Sequence, residues 1–115
     1  MNERNLWSLS ATELRHAYMK RTLSPVEVLE SYLGRITTLN PKVNAFYLLM
    51  EEKALLSAKK SEERWLKASP LGLLDGIPTA IKDGLFMSGI PIYRGSLANN
   101  AKSNIPTTNA PVVDR

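Results

Sequence analysis

Lys82 and Asp83 close the stretch Gly76-Ile-Pro-Thr-Ala-Ile-Lys82-Asp83, and here residue type and spacing point most directly to chemistry. With a period of two, Ile77, Thr79 and Ile81 share one face while Pro78, Ala80 and Lys82 share the other. The lysine therefore emerges beside small residues at the far end of the element. Taken alone, a lysine in that place is ordinarily solvated or paired with a neighbour such as Asp83. The other candidates offer less. His16, the only histidine, has no second ligand at metal spacing and reads as a surface residue. Gly72 and Gly76 precede no Gly-Lys-Ser/Thr, so no phosphate-cradling loop is expected. Without cysteine the chain has no disulfide, thiolate metal site or cysteine nucleophile. The serines, at positions 8, 10, 24, 31, 57, 61, 69, 88, 96 and 103, fall in caps, helix surfaces or loops, none in Gly-Gly-Ser-like surroundings.

Several elements must position these residues. Ser10-Ala-Thr-Glu13 has the form of a capping box and predicts a short helix that fades near Thr22, with Leu14, Ala17 and Tyr18 on one face. Ser24-Pro25-Val26-Glu27 repeats the signal, with proline at the first helical position where its missing amide costs nothing. Val26, Leu29, Leu33 and Ile36 predict a buried stripe on this second helix, and Asn40-Pro41 its end. The two helices read as a hairpin over residues 1–40. Residues 41–115 read as strand, helix, strand and loop. A strand is expected over Val43 to Leu49, and a third helix over Glu51 to Lys67. That helix carries Ala54, Leu55, Ala58, Trp65 and Leu66 on one side, with Trp65 as a core anchor. Asp75-Gly76 and Asp83-Gly84 are turn dipeptides bracketing a strand over Ile77 to Lys82. Pro78 sits awkwardly in it, since proline removes a ladder donor. A glycine- and proline-rich loop follows, and Thr107 to Arg115 reads as the start of a helix.

At 115 residues and 43% hydrophobic composition the chain can build one modest core. Its net charge of +4 comes from basic and acidic residues spread along the sequence, as on an ordinary solvated surface. With few aromatics and no basic stripe, no direct nucleic-acid partner is expected. The start, Met1-Asn2-Glu3-Arg4-Asn5, lacks the apolar stretch of a secretory signal, and no window reaches the length of a membrane span. A cytoplasmic protein with no membrane association is expected, and no cofactor.

The stretch Leu74-Asp-Gly-Ile-Pro-Thr-Ala-Ile-Lys-Asp83, followed by Ser88-Gly-Ile-Pro-Ile-Tyr-Arg-Gly-Ser96, resembles the amidase signature family. Leu9-Ser-Ala-Thr-Glu-Leu14, Leu23-Ser-Pro-Val-Glu-Val28, Leu39-Asn-Pro-Lys-Val-Asn-Ala-Phe46 and Asn109-Ala-Pro-Val-Val-Asp-Arg115 are similar to further stretches of the family, in the same order. The family includes bacterial amidases and the A subunit of glutamyl-tRNA(Gln) amidotransferase. Its catalytic unit is a nucleophilic serine, a bridging serine and a lysine, and by position in the motif that lysine is Lys82. The resemblance implies that Lys82, kept neutral by burial, takes the nucleophile's proton through the bridging serine and returns it to the leaving amine. Both serines, and the oxyanion donors, lie in the family within a glycine- and serine-rich segment that this sequence does not contain. Asp83 is then a structural hydrogen-bonding partner, and Gly95 and Ser96 shape the loop near the site. Ile90-Pro-Ile-Tyr-Arg94 departs from the Thr-Thr-containing form common in the family, which leaves the subgroup open.

The resemblance implies an α/β fold in which helices cover a mixed sheet, with only its first part present: an amino-terminal fragment of an amidase domain over residues 1–115. Such a fragment would serve a small-molecule amide substrate in the complete enzyme and be inactive alone. The alternative is a non-catalytic interaction module, forming a homo-oligomer or a hetero-complex through exposed apolar faces and an unpaired strand edge.

Overall fold

The computed structural model describes residues 5–99 and 104–115. These divide into two compact units, Met1–Pro78 and Thr79–Arg115. The first is helical. A 3-10 turn at Leu6–Ser8 leads into α1 (Ala11–Met19), α2 (Pro25–Val43) and α3 (Glu51–Leu66). The hydroxyl of Ser10 accepts from the Glu13 amide at 3.2 Å, while the Glu13 carboxylate accepts from the Ser10 amide at 2.7 Å. Ser24 and Glu27 repeat the exchange at the start of α2, at 3.2 and 2.8 Å. Each box satisfies amides that have no partner inside the helix.

The core unites the three helices. Leu14 and Tyr18 of α1, Val28 of α2 and Trp65 of α3 form one buried cluster, against which Leu6, Leu9, Leu23, Tyr32 and Ile77 pack. The rings of Tyr18 and Trp65 lie 5.8 Å apart at a tilt of 49°, within the range where aromatic pairs attract beyond their area burial. Two cationic contacts tie the edges. Arg35 of α2 stands 3.6 Å over the Trp7 ring, and Arg21 donates from its guanidinium to the Leu66 carbonyl at the carboxyl end of α3.

The predicted helices exist, with corrected details. Pro41 does not end α2, which runs to Val43 and is closed by Asn44 in the left-handed conformation, φ 50°. Pro41 has no amide to bond the Thr37 carbonyl, so α2 passes through it at the cost of one hydrogen bond and ends where asparagine, one of the few residues that tolerate the left-handed cap, takes over. Asn40 then grips the emerging chain, its side-chain amide exchanging two hydrogen bonds with the backbone of Phe46. The buried residues of α2 are Pro25, Val28 and Leu33, so of the four expected positions only Leu33 is buried. Leu66 at the end of α3 is exposed, whereas Ser61, expected on a helix surface, is buried.

The expected α/β architecture is absent: the described residues form no strand and no sheet. Residues 44–50 are irregular and mostly exposed, and residues 77–82 carry no regular structure. An isolated bridge between Asp83 and Leu85 is the β-type pairing recorded. The period-two pattern names two faces, but a strand also needs a ladder of amides and carbonyls from a neighbour, and Pro78 removes one donor in advance. The helix expected from Thr107 shrinks to α4 (Pro111–Asp114).

The second unit is held by hydrogen bonds between loop segments. The amides of Gly89 and Ile92 donate to the carbonyls of Pro106 and Asn104 at 2.9 Å, and that of Ala110 donates to Phe86 at 2.7 Å. The Ser88 amide donates to the side chain of Asn109 at 2.7 Å. Among the described residues of this unit, Ile92 is the buried hydrophobic one. Among the described residues no helix is long and apolar enough to cross a membrane.

Candidate functional site

The segment leading to Lys82 leaves the helical unit from an anchor at Asp75. Its side chain is 4% exposed and accepts four hydrogen bonds. Arg64 of α3 donates through Nε and Nη2, both at 2.7 Å, to the two carboxylate oxygens. Ser61, one turn earlier on the same face, donates to Oδ1 at 2.7 Å, and the Leu71 amide donates to Oδ2 at 2.9 Å. Hydrogen bonding from Arg64 is the main reason the carboxyl is held well below the usual carboxylate range. Burial opposes that shift, and the Leu71 and Ser61 bonds add to it. Asp75 is therefore an anion at neutral pH, with a structural task.

The backbone at this point is gripped as well. The Asp75 carbonyl accepts from the Trp65 indole at 3.1 Å, and the Gly76 carbonyl from the Tyr18 hydroxyl at 2.9 Å. Burial, with a smaller contribution from Tyr32, pushes the Tyr18 phenol well above its ordinary value, so it stays a donor. Gly76 has φ +84°, and a Cβ there would stand 2.8 Å from Pro25 Cγ, 2.8 Å from Ser61 Oγ and 3.1 Å from Tyr18 Cε2. Only glycine satisfies both the conformation and the space.

Lys82, Asp83, Gly95 and Ser96 lie in the second unit. Lys82 is exposed. Among the described residues its ammonium forms no hydrogen bond or ion pair. Asp83 accepts from the Tyr93 amide at 3.0 Å and the Gly95 amide at 3.4 Å. Desolvation pushes its carboxyl up, but the amides of Tyr93, Arg94 and Gly95 and the charge of Lys82 outweigh it, leaving the group below its ordinary value. The turn that presents these amides carries left-handed residues at Arg94, φ 50°, and Gly95, φ 67°. Asp83 and Gly95 are thus brought together. Ser96 closes the same turn, donating from its amide to the Tyr93 carbonyl at 3.0 Å and accepting from Ala98 at 3.2 Å. The described residues contain no group of three or more His, Asp or Glu side chains able to hold a metal ion.

Asp75-Gly76, a plain turn dipeptide on sequence grounds, collects six side-chain and backbone hydrogen bonds among the described residues. A signal existed. Ser61, Arg64 and Trp65 recur at helical spacing on one face of α3, a donor array with no acceptor in its own helix.

The amidase family model matches residues 27–115, covering the motif from Gly76 to Asp83. The chain belongs to the amidase family. It is 34% identical over 108 residues to an indoleacetamide hydrolase of Bradyrhizobium diazoefficiens, which covers 94% of this chain and 20% of that protein. It is 36% identical over 115 residues to an acylamidase of Rhodococcus erythropolis, covering 100% of this chain and 24% of the relative. The glutamyl-tRNA(Gln) amidotransferase A subunit of Fusobacterium nucleatum is 40% identical over 85 residues, or 74% of this chain and 18% of the relative. The chain thus spans about a fifth of the length of the curated relatives it matches. No solved structure matches it significantly.

Proposed function

We propose that this chain is the amino-terminal segment of an amidase signature hydrolase, supplying the lysine base of a Ser-Ser-Lys mechanism and inactive without the polypeptide that supplies the serines. The observation that carries the reading is the family match across residues 27–115, a span that includes the motif ending in Lys82 and Asp83. In the complete enzyme a neutral Lys82 takes the proton of the nucleophilic serine through the bridging serine. The serine oxygen attacks the carboxamide carbon, and the proton passes to the departing amine. The exposure of Lys82 fits the reading if that remaining polypeptide provides the burial that favours the neutral amine.

A second reading, the corresponding segment of a glutamyl-tRNA(Gln) amidotransferase A subunit, is favoured by the 40% identity to the Fusobacterium protein. Coverage does not separate the two readings, since the indoleacetamide hydrolase, the acylamidase and a further amidotransferase A subunit, 38% identical, cover 94%, 100% and 96% of this chain.

Purified chain is expected to release no ammonia from simple carboxamides, and hydrolysis that a serine-directed fluorophosphonate abolishes would refute the reading. A hybrid tests the base: residues 1–115 replace the matching region of the Rhodococcus acylamidase. Lys82→Met in that hybrid is expected to lower kcat by about 10²–10⁴-fold, the usual contribution of a positioned acid-base group. A hybrid equally active with and without the lysine sinks the assignment.

A further inference from the structure

The second unit holds a cavity of about 280 Å³, lined by Phe86, Ile92, Arg94, Asn99, Asn104, Ile105 and Pro106. We propose that it is a subsite for a small ligand that joins an apolar body to a carboxylate, with Arg94 taking the anion.

Its walls are tied together. The amides of Gly89 and Ile92 bond across to Pro106 and Asn104, which sets the two apolar sides opposite one another. The side-chain amide of Asn104 donates to Asn99 Oδ1 at 3.0 Å, and the Asn99 side chain in turn donates to the Tyr93 backbone carbonyl. These asparagines are bound to each other and to the frame, so they shape the cavity more than they select its occupant. The apolar share of the lining, from Phe86, Ile92, Ile105 and Pro106, calls for a hydrocarbon or aromatic group.

Arg94 is the cationic residue of the lining and so selects an anionic ligand. Its backbone is pinned in the left-handed turn whose amides Asp83 grips, while no described carboxylate pairs with its guanidinium. The acids of this unit are already engaged: Asp83 with the amides of residues 93–95, and Asp114 with the Asn109 side chain at 2.8 Å. Residues 79–115 carry four basic side chains (Lys82, Arg94, Lys102, Arg115) against two acidic ones (Asp83, Asp114), a net +2 that favours an anion. A planar guanidinium matches a carboxylate in two parallel hydrogen bonds, a geometry no neutral group can equal. The volume lies just below the about 300–1,000 Å³ of drug-sized sites, so the occupant is small. The subsite stands on this geometry alone and does not depend on amide hydrolysis.

The test titrates the isotopically labelled chain with phenylacetate, phenylacetamide and acetate while following backbone amide resonances. Phenylacetate is expected to saturate shifts at Phe86, Ile92, Arg94 and Ile105. Phenylacetamide, which keeps the ring but not the charge, is expected to bind at least about tenfold more weakly, equal to about 1.4 kcal/mol, and acetate likewise. Arg94→Asn removes the cation yet tolerates the left-handed backbone, so its spectrum stays folded while phenylacetate affinity falls to that of the amide. Arg94→Lys restores part of it. Equal affinity for phenylacetate and phenylacetamide, shifts confined to residues 5–78, or no saturation at any concentration overturns the proposal.

Discussion

Asp75→Asn changes one atom in the anchor and offers a strict test of the electrostatic account. Both carboxylate oxygens accept two donors each: Oδ1 from Ser61 Oγ and Arg64 Nη2, Oδ2 from Arg64 Nε and the Leu71 amide. An asparagine placed in either orientation must turn its own amino group toward two of these donors. Removing one partner of a buried pair costs about 3–5 kcal/mol. Arg64 is 28% exposed and can rehydrate, and one oxygen keeps its acceptor role, which brings the expected loss to about 2–3 kcal/mol. For a unit of this size the midpoint of thermal unfolding should fall by about 10 °C or more.

The loss also carries a pH signature. Because the folded chain holds Asp75 below its ordinary value of 3.8, its stabilisation is complete above that pH and fades as pH falls toward the depressed folded value. The variant lacks this titration. Urea unfolding followed by circular dichroism should show a gap between wild type and variant that is flat from about pH 7 to 5. Below about pH 3.8 the gap should close by about 1.4 kcal/mol per pH unit. A variant within about 0.5 kcal/mol of wild type at neutral pH, or a gap that stays constant into acid, refutes the claim that the ionised carboxylate holds this segment.

Two further changes probe the same unit. Gly76→Ala places a methyl against Pro25, Ser61 and Tyr18 at a positive φ and should cost about 2–3 kcal/mol in the urea midpoint. Gly72→Ala, where a Cβ meets nothing within 4 Å, should stay within about 0.5 kcal/mol. Ser24→Ala removes the acceptor for the Glu27 amide and should destabilise by about 1 kcal/mol, seen as an earlier loss of helical ellipticity on heating.

The legible parts of this sequence are those whose physics is local. A capping box closes within four residues, so Ser10 to Glu13 and Ser24 to Glu27 announce α1 and α2 without reference to anything distant. Tyr18 and Trp65 declare themselves as core residues by their place on amphipathic faces, and they meet. What stays hidden depends on partners far along the chain. Pro25 and Val28 are buried through the approach of other segments, Gly76 among them.

The missing strand at residues 77–82 and the unforeseen anchor at Asp75 have one origin. Alternation of side chains says which faces a segment would present if paired, but pairing is a property of two segments. Among the described residues no strand completes the ladder. The donors on α3, by contrast, do find their partner, because a buried carboxylate with four acceptor sites can collect a hydroxyl, a guanidinium fork and an amide at once. The order at the start of the lysine motif therefore comes from helix-borne side chains. The β pattern just beyond it specifies faces that only a neighbouring strand could turn into a sheet.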